Sequence, residues 1–185
     1  LEWLIRGATK PINIQITAIA KECKNLTGGI KEVYIIKKED VTSVGLDATV
    51  GQITGITVAS GKTFAKWEFN PQTANMASNG NVDAAAGTYF IQTDLTLQFS
   101  KMESVKRLAI QAATFEDTIV VVKDNNYQLF YLGYDNPVNS TAVTGASGTA
   151  YGDLNGYTIT LTDISNELPF TVNMDASALS AIGID

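Results

Sequence analysis

Four carboxylates in the C-terminal third of the chain are the first candidates for chemistry: Asp135, Asp153, Asp163 and Glu167. Carboxylate oxygens of this kind can surround a calcium ion. Their spacing lacks the D-x-[DN]-x-[DN]-G pattern of a calcium-binding loop, which favours solvated turn residues over a metal site. The sequence therefore predicts no metal, and none of the four is expected to be catalytic.

The side chains that enzymes use most often are scarce. The 185 residues include no histidine and a single cysteine, Cys23. The sequence therefore lacks the residues required for a histidine base, a catalytic triad or one of the usual zinc sites. Cys23 is expected to be a small core residue, a buried thiol or a sign of a reducing compartment. The glycine-rich stretch 145–152 lacks the lysine of a phosphate-binding loop and predicts an ordinary loop. We expect no enzyme activity and no cofactor.

Aromatic side chains are the remaining candidates for ligand binding, because a row of them can stack against a sugar. Aromatics that alternate along strands are more often core residues, and this is the favoured interpretation here. The candidates are Trp67, Phe69, Tyr89, Phe90, Tyr127, Phe130, Tyr131 and Tyr134.

Composition predicts one globular domain over residues 1–185, with 45% hydrophobic and 17% charged residues. The net charge of −6 disfavours a broad phosphate-binding face. Residues 124–185 contain seven acidic and no basic residues, which fits either an acidic sector that faces a basic one in the next copy or a solvated acidic face. No apolar window is long enough to span a membrane, so a soluble chain is expected. The start at Leu1 fits proteolytic maturation or a fragment.

Apolar periodicity predicts a mainly β protein, a β-sandwich or barrel of about eight strands with one flanking α-helix. Residues 88–100 alternate over roughly 40 Å, a length typical of a ribbon or barrel. Hairpins are predicted to join 52–60 with 63–70, 117–124 with 127–133, and 156–162 with 168–173. Further strands are predicted at 11–20 and 33–36.

A helix is predicted over residues 101–114. Ser100 and Glu103 have the spacing of a capping box. The inward face is predicted from the helical recurrence of Met102, Val105, Leu108, Ala109 and Ala112. An N-terminal arm (1–10), a long structureless loop (70–87) and a C-terminal tail (174–185) complete the predicted organisation.

From this helix onwards the chain resembles structural proteins of tailed-bacteriophage virions, especially tail tube and tail ring proteins of Bacteroidetes-type phages. The resemblance is carried by KMESVKRLAIQAAT, TIVVVKDNNYQLFYLG and, most specifically, GTAYGDLNGYTITLT, with CKNLTGGIKEVYIIKKEDV near the start. It implies homo-oligomeric rings, commonly hexameric, that stack around a channel for the genome. It also implies a virion location, with host cytoplasm during assembly, and contact with other tail or neck proteins.

The same resemblance implies that genomic double-stranded DNA passes through the channel. Because a wall that bound phosphates tightly would stall the DNA, we expect a neutral to acidic channel without specific binding, with acidic groups of the C-terminal third near it or near a stacking face. The resemblance also assigns residues 70–87 as the loop that reaches the neighbouring ring. Two alternatives stay open. One is a head-to-tail connector ring or auxiliary capsid protein, because LEWLIRGATK differs from the start of a tube protein. The other is an extracellular β-sandwich binding module of a bacterial surface protein.

Overall fold

A computed structural model describes residues 17–21 and 26–185, which form two β-sheets with helices at their margins. A single 3-10 turn lies at Lys38–Asp40. Neither helix of the described part is long and apolar enough to cross a membrane. In chain order the elements are β1 (Ile30–Lys37), β2 (Val41–Asp47), β3 (Gln52–Val58), β4 (Ala65–Trp67), β5 (Ala74–Asp83), β6 (Thr88–Ser100), α1 (Ser104–Phe115), β7 (Thr118–Asp124), β8 (Leu129–Leu132), β9 (Asn139–Ala146), β10 (Gly156–Ser165), β11 (Phe170–Val172) and α2 (Ala176–Ala181).

The strands form a seven-stranded sheet in the order β2-β3-β11-β8-β7-β1-β4 and a four-stranded sheet in the order β5-β6-β10-β9. All pairs are antiparallel except β11 with β3. The predicted mainly β class is therefore confirmed as the sandwich of the two alternatives, sandwich or barrel. The described residues contain eleven strands and two α-helices where about eight strands and one helix were expected.

The seven-stranded sheet is buried on both faces. One face packs on the four-stranded sheet, where side chains such as Val33 and Val120 meet Leu97 and Ile159. The other face packs on the C-terminal segment. The core on this side, which we call the second core, contains Tyr34, Val121, Phe64, Ile182 and Ile184. Because both faces are covered, β1 and β7 are continuous apolar runs and not alternating ones.

Two of the three predicted hairpins are wrong. A turn does form at Gly61, where φ is +76°, but β3 pairs with β2 and β11 while β4 pairs with β1. Phe64 enters the second core and its N–H donates to Ile182 O at 2.8 Å, which directs the chain to the far edge of the sheet. Similarly, β10 and β11 lie in different sheets. Only β7 and β8 pair as predicted.

The long loop predicted over residues 70–87 is also wrong. Most of it is β5, which pairs with β6 from Ala74↔Leu97 to Asp83↔Thr88. The sequence of β5 is ANMASNGNVD, and its small and amide side chains give no apolar alternation because most of the strand faces solvent. β9 was missed for the same reason. β6 has the predicted bounds.

The helix and the N-terminal region need further correction. α1 begins at Ser104 after Glu103, whose side chain makes no capping hydrogen bond, so the predicted capping box with Ser100 does not form. Of the predicted strand 11–20, residues 17–20 are exposed and form no strand. Residues 11–16, the arm 1–10 and Cys23 lie outside the described residues. The predicted tail 174–185 contains α2.

Candidate functional site

The candidate carboxylates do not form one cluster. Asp153 lies in the glycine-rich loop, where its carboxylate accepts hydrogen bonds from the N–H groups of Thr149 and Ala150 at 2.8 Å. Asp163 lies seven residues along β10 from Gly156, roughly 23 Å away. Across the part of the chain that the structure describes, no three histidine, cysteine, aspartate or glutamate side chains are grouped to hold a metal ion. The carboxylate of Asp153 thus binds backbone N–H groups of its own glycine-rich loop.

Asp163 is the buried member of the set, with 4% of its surface exposed. Burial raises the pKa of its carboxyl group to about 6; a hydrogen bond from the backbone of Gly133 opposes this rise and the charge of Asp135 adds to it. One of its oxygens has no hydrogen-bond partner, and neither has the nearby hydroxyl of Tyr131. Burial and Asp135 also raise the pKa of Glu167. Asp163 and Tyr131 are thus buried polar groups, whereas Glu167 is half-buried.

The aromatic side chains do not form a common platform. Trp67 and Phe69 pack edge-on around Phe99, with ring centroids 5.4 and 6.4 Å apart. Tyr131 is buried and Tyr134 packs on Phe170 at 5.1 Å. The favoured core interpretation holds for Trp67, Phe69 and Tyr131. The exposed members of the set are Tyr127, Tyr134, Tyr89 and Phe90, and Tyr89 and Phe90 lie together at one end of the sandwich.

That end is a two-stranded ribbon that extends beyond its sheet. The last pair between β6 and β10 is Ile91↔Ser165, whereas β5 and β6 continue through Asn81↔Phe90, Val82↔Tyr89 and Asp83↔Thr88. We call residues 81–90 the hairpin tip. A two-stranded ribbon alone is marginal in water, and this one carries three exposed apolar side chains, Val82, Tyr89 and Phe90.

The turn of the hairpin tip is ordered by Asp83. Its carboxylate accepts hydrogen bonds from the N–H groups of Ala85 and Ala86, both at 3.0 Å. Asp followed by small residues and a glycine is a turn signal in the sequence, and this signal could have located the hairpin within the predicted loop. Val82 and Tyr89 are directly opposite in the register, so their side chains share one face of the ribbon.

Helix α1 exposes a second apolar surface. Ile110 and Ala113 are its buried residues, whereas the predicted inward residues Met102, Val105, Leu108 and Ala112 are exposed. We call Val105, Leu108, Ala112 and Phe115 the apolar face of α1; Val105 is 77% and Phe115 79% exposed. The predicted helical period was correct, but its phase was wrong, because the stripe with the strongest apolar signal faces away from the core.

Grooves flank α1 on both sides. The larger has a volume of about 290 Å³ and lies between α1 and β4, lined by Trp67, Phe99, Val105, Ala109 and Ile110 among others. The groove on the other side is lined by Phe115, Val143 and Tyr157. Four cations lie near these grooves: Lys66, Lys101, Lys106 and Arg107. Two anions accompany them: Glu68 lies 3.6 Å from Lys66, and Glu103 bridges Lys101 at 3.0 Å and Lys106 at 2.9 Å.

The hairpin tip and α1 lie at opposite ends of the sandwich. β6 begins at Thr88 in the tip and ends at Ser100, just before α1, and its thirteen residues span roughly 40 Å. Phe99 and Tyr157, which line the grooves beside α1, pair with each other at the Ser100 end. The two apolar surfaces of one chain therefore cannot cover each other.

The outward face of the four-stranded sheet is polar. The hydroxyls of Thr96 and Thr160 lie 3.3 Å apart across neighbouring strands. The Thr162 hydroxyl donates to the Asp94 carboxylate at 2.6 Å, and the Gln92 amide donates to the same carboxylate at 3.0 Å. None of the four strands contains lysine or arginine. This face presents mainly hydroxyls and amides, with the carboxylate of Asp94 and the exposed side chain of Ile164, and its strands offer no cation to a phosphate.

No protein-family model matches this chain, and no curated protein sequence matches it. Among solved structures, the chain is similar to one described as "Virion of native gene transfer agent (GTA) particle", with 12% identity and a TM-score of 0.36. The match covers 75% of this chain and 99% of the other. At this TM-score the likeness assigns no role to the chain.

Proposed function

We propose that the chain is a virion structural protein of the tailed-phage type, a tail-tube-type subunit that assembles into stacked rings around the channel through which the genome passes. The observation that carries the proposal is the hairpin tip, a preformed ribbon that extends past its sheet with apolar side chains exposed. An isolated chain gains nothing from such a ribbon, whereas a subunit uses it to contact its neighbour. The sequence resemblance to tail tube proteins supports the same role.

The hairpin tip replaces residues 70–87 as the inter-subunit arm of this proposal. Its β-pairing and the turn held by Asp83 fix the ribbon before docking. A preformed element loses less conformational entropy on association than a flexible loop does. The arm is therefore a rigid projection, shorter than the predicted loop.

The four-stranded sheet supplies the channel wall in this proposal. Phosphate contacts with Lys and Arg dominate nucleic-acid affinity, and the outward face of this sheet has neither residue. Duplex DNA would slide along such a wall without being held. The acidic character of the C-terminal third agrees with a channel that does not bind the genome.

Electron microscopy of the purified full chain tests the proposal directly. We expect rings or tubes with a central channel in negative stain. Single rings that do not stack would favour the connector alternative. Monomers at every concentration up to the millimolar range would contradict the proposed function, because a ring subunit must associate with its own copies.

A further inference from the structure

We propose that the hairpin tip of one copy docks on the apolar face of α1 in a second copy, with the Val82–Tyr89 pair entering the groove between α1 and β4. The inference rests on the self-assembly proposed above and names the surface that receives the arm. It joins two exposed apolar surfaces of the described chain, the hairpin tip and the apolar face of α1, through a single contact.

Geometry requires the occupant to come from another molecule. The tip and α1 are separated by the length of β6, roughly 40 Å, and the β5–β6 ribbon is held by ten consecutive pairs. The ribbon cannot fold back onto its own helix. A second copy offers the same tip at the opposite end of its own β6.

The two surfaces are complementary in shape and chemistry. Val82 and Tyr89 stand side by side on one face of the ribbon, and Tyr89 is half exposed. The groove has aromatic walls in Trp67 and Phe99 and an aliphatic rim in Val105. A tyrosine ring fits such a groove with its hydroxyl left at the polar rim.

Charge favours the same pairing. The strands of the ribbon, β5 and β6, carry acidic residues and no lysine or arginine. Around the groove and the start of α1, four cations, Lys66, Lys101, Lys106 and Arg107, outnumber the two anions, Glu68 and Glu103. An acidic tip bearing Asp83 therefore meets a positive rim, which steers association and disfavours tip-to-tip contacts.

The contact joins different surfaces of the two copies, so it is heterologous and leaves a free tip and a free groove at the two ends of every assembly. Repetition of this contact adds copies in the direction of β6. The docking therefore explains growth by stacking, and it makes no contribution to closure of a single ring.

Disulfide trapping between two single-cysteine variants tests the docking. In a Cys23→Ser background, a Tyr89→Cys chain is mixed with a Val105→Cys chain under mild oxidation. We expect at least tenfold more mixed dimer than in a control mixture of Tyr89→Cys with Val50→Cys, because Val50 is exposed on a turn remote from α1. Equal yields in the two mixtures, with assembly intact by electron microscopy, would overturn the docking and leave the proposed function standing.

A charge variant provides the second measurement. Val105→Asp places a carboxylate in the first turn of α1, where the helix tolerates it well, and Val50→Asp is the matched control. We expect Val105→Asp to melt at the parent temperature and to lose stacking at least tenfold by sedimentation, whereas Val50→Asp stacks as the parent does. If the parent itself never assembles, both the docking and the proposed function are contradicted.

Discussion

The ammonium group of Lys123 lies 3.3 Å from the carboxylate of Glu32, and both side chains are largely buried at the margin of the seven-stranded sheet. Lys66 approaches the same carboxylate at 3.0 Å, and the hydroxyl of Tyr34 donates to it at 2.8 Å. Burial alone would raise the pKa of Glu32, but the three hydrogen bonds outweigh it and hold the pKa at about 2. These contacts join β1, β4 and β7 through one ionised carboxyl group.

Glu32→Gln should therefore reduce stability at neutral pH and remove part of the acid sensitivity. A carboxyl group whose pKa is lower in the folded state stabilises the fold above the unfolded value and loses this contribution as the pH falls from about 4.5 towards 2. The shift corresponds to about 3 kcal/mol at most. The test is to measure the urea midpoint from pH 7 to pH 2 for three proteins: the parent, Glu32→Gln and the exposed control Glu39→Gln. Identical acid profiles for all three would contradict it.

Asp163→Asn should have the opposite effect. Because burial raises the pKa of Asp163 to about 6 in the folded protein, its contribution to stability is present below pH 3.8 and is lost as the pH rises through 6. We expect Asp163→Asn to stabilise the fold by about 1 to 3 kcal/mol at pH 7.5 and to have little effect at pH 4.

The matched control is Asp153→Asn. Hydrogen bonds from the backbone of Ala150 and Thr149 lower the pKa of Asp153, so this substitution should not raise the melting temperature at pH 7.5. Melting temperatures of Asp163→Asn and Asp153→Asn, measured at pH 4 and pH 7.5, distinguish the two substitutions. A parent whose melting temperature is constant between pH 4 and pH 7.5 would count against a buried, titrating Asp163.

Shortening the hairpin tip should separate folding from assembly. Replacing residues 82–89 by Asn-Gly leaves the pair Asn81↔Phe90 to close on a two-residue turn of favoured sequence. Because the removed side chains are exposed, the free energy of unfolding should change by no more than about 0.5 kcal/mol. Stacking, measured by electron microscopy and sedimentation, should be lost. A shortened chain that polymerises as the parent does would show that the tip is not the inter-subunit arm.

Introducing cations on the outward face of the four-stranded sheet should make the assembly bind DNA. Thr96→Lys and Thr158→Lys place ammonium groups on the proposed channel wall, and each phosphate contact adds salt-dependent affinity. We expect parent assemblies to retain little duplex DNA at 150 mM salt, and the variants to bind it with a steep salt dependence by fluorescence anisotropy. Thr54→Lys, on the other sheet, is the control. If Thr54→Lys bound DNA as strongly as Thr96→Lys and Thr158→Lys do, the result would argue against this face as the channel wall.

Two sequence patterns predicted strands correctly: alternation, where one face lies in the core and one in solvent, and continuous apolar runs, as in β1 and β7, where both faces are covered. β6 alternates because Leu95 and Leu97 point inward while Thr96 and Gln98 point outward. Pairing partners were harder to predict, because the turn after β3 resembles a hairpin turn whereas the core contact of Phe64 decides where the chain goes.

The apolar face of α1 was not predicted as a surface, for a related reason. Periodicity reports that one side of a helix is apolar, but it does not report what covers that side. In α1 the period predicts that the stripe through Val105 and Leu108 faces the core, whereas Ile110 and Ala113 are the buried residues. A helix with more apolar residues than its buried face can hold is therefore a sequence indication of a surface that contacts a partner.

The parallel contact of β11 with β3 pairs Thr171 with Gln52, residues far apart along the chain, and this pairing has a kinetic consequence. Contacts of such sequence separation make a domain slow to fold, in the range of milliseconds to seconds. Until they form, the second core lacks Phe170 and Val172, and we expect the proposed association to wait for this core. Polymerisation started from denatured chains should therefore show a lag whose length does not depend on protein concentration.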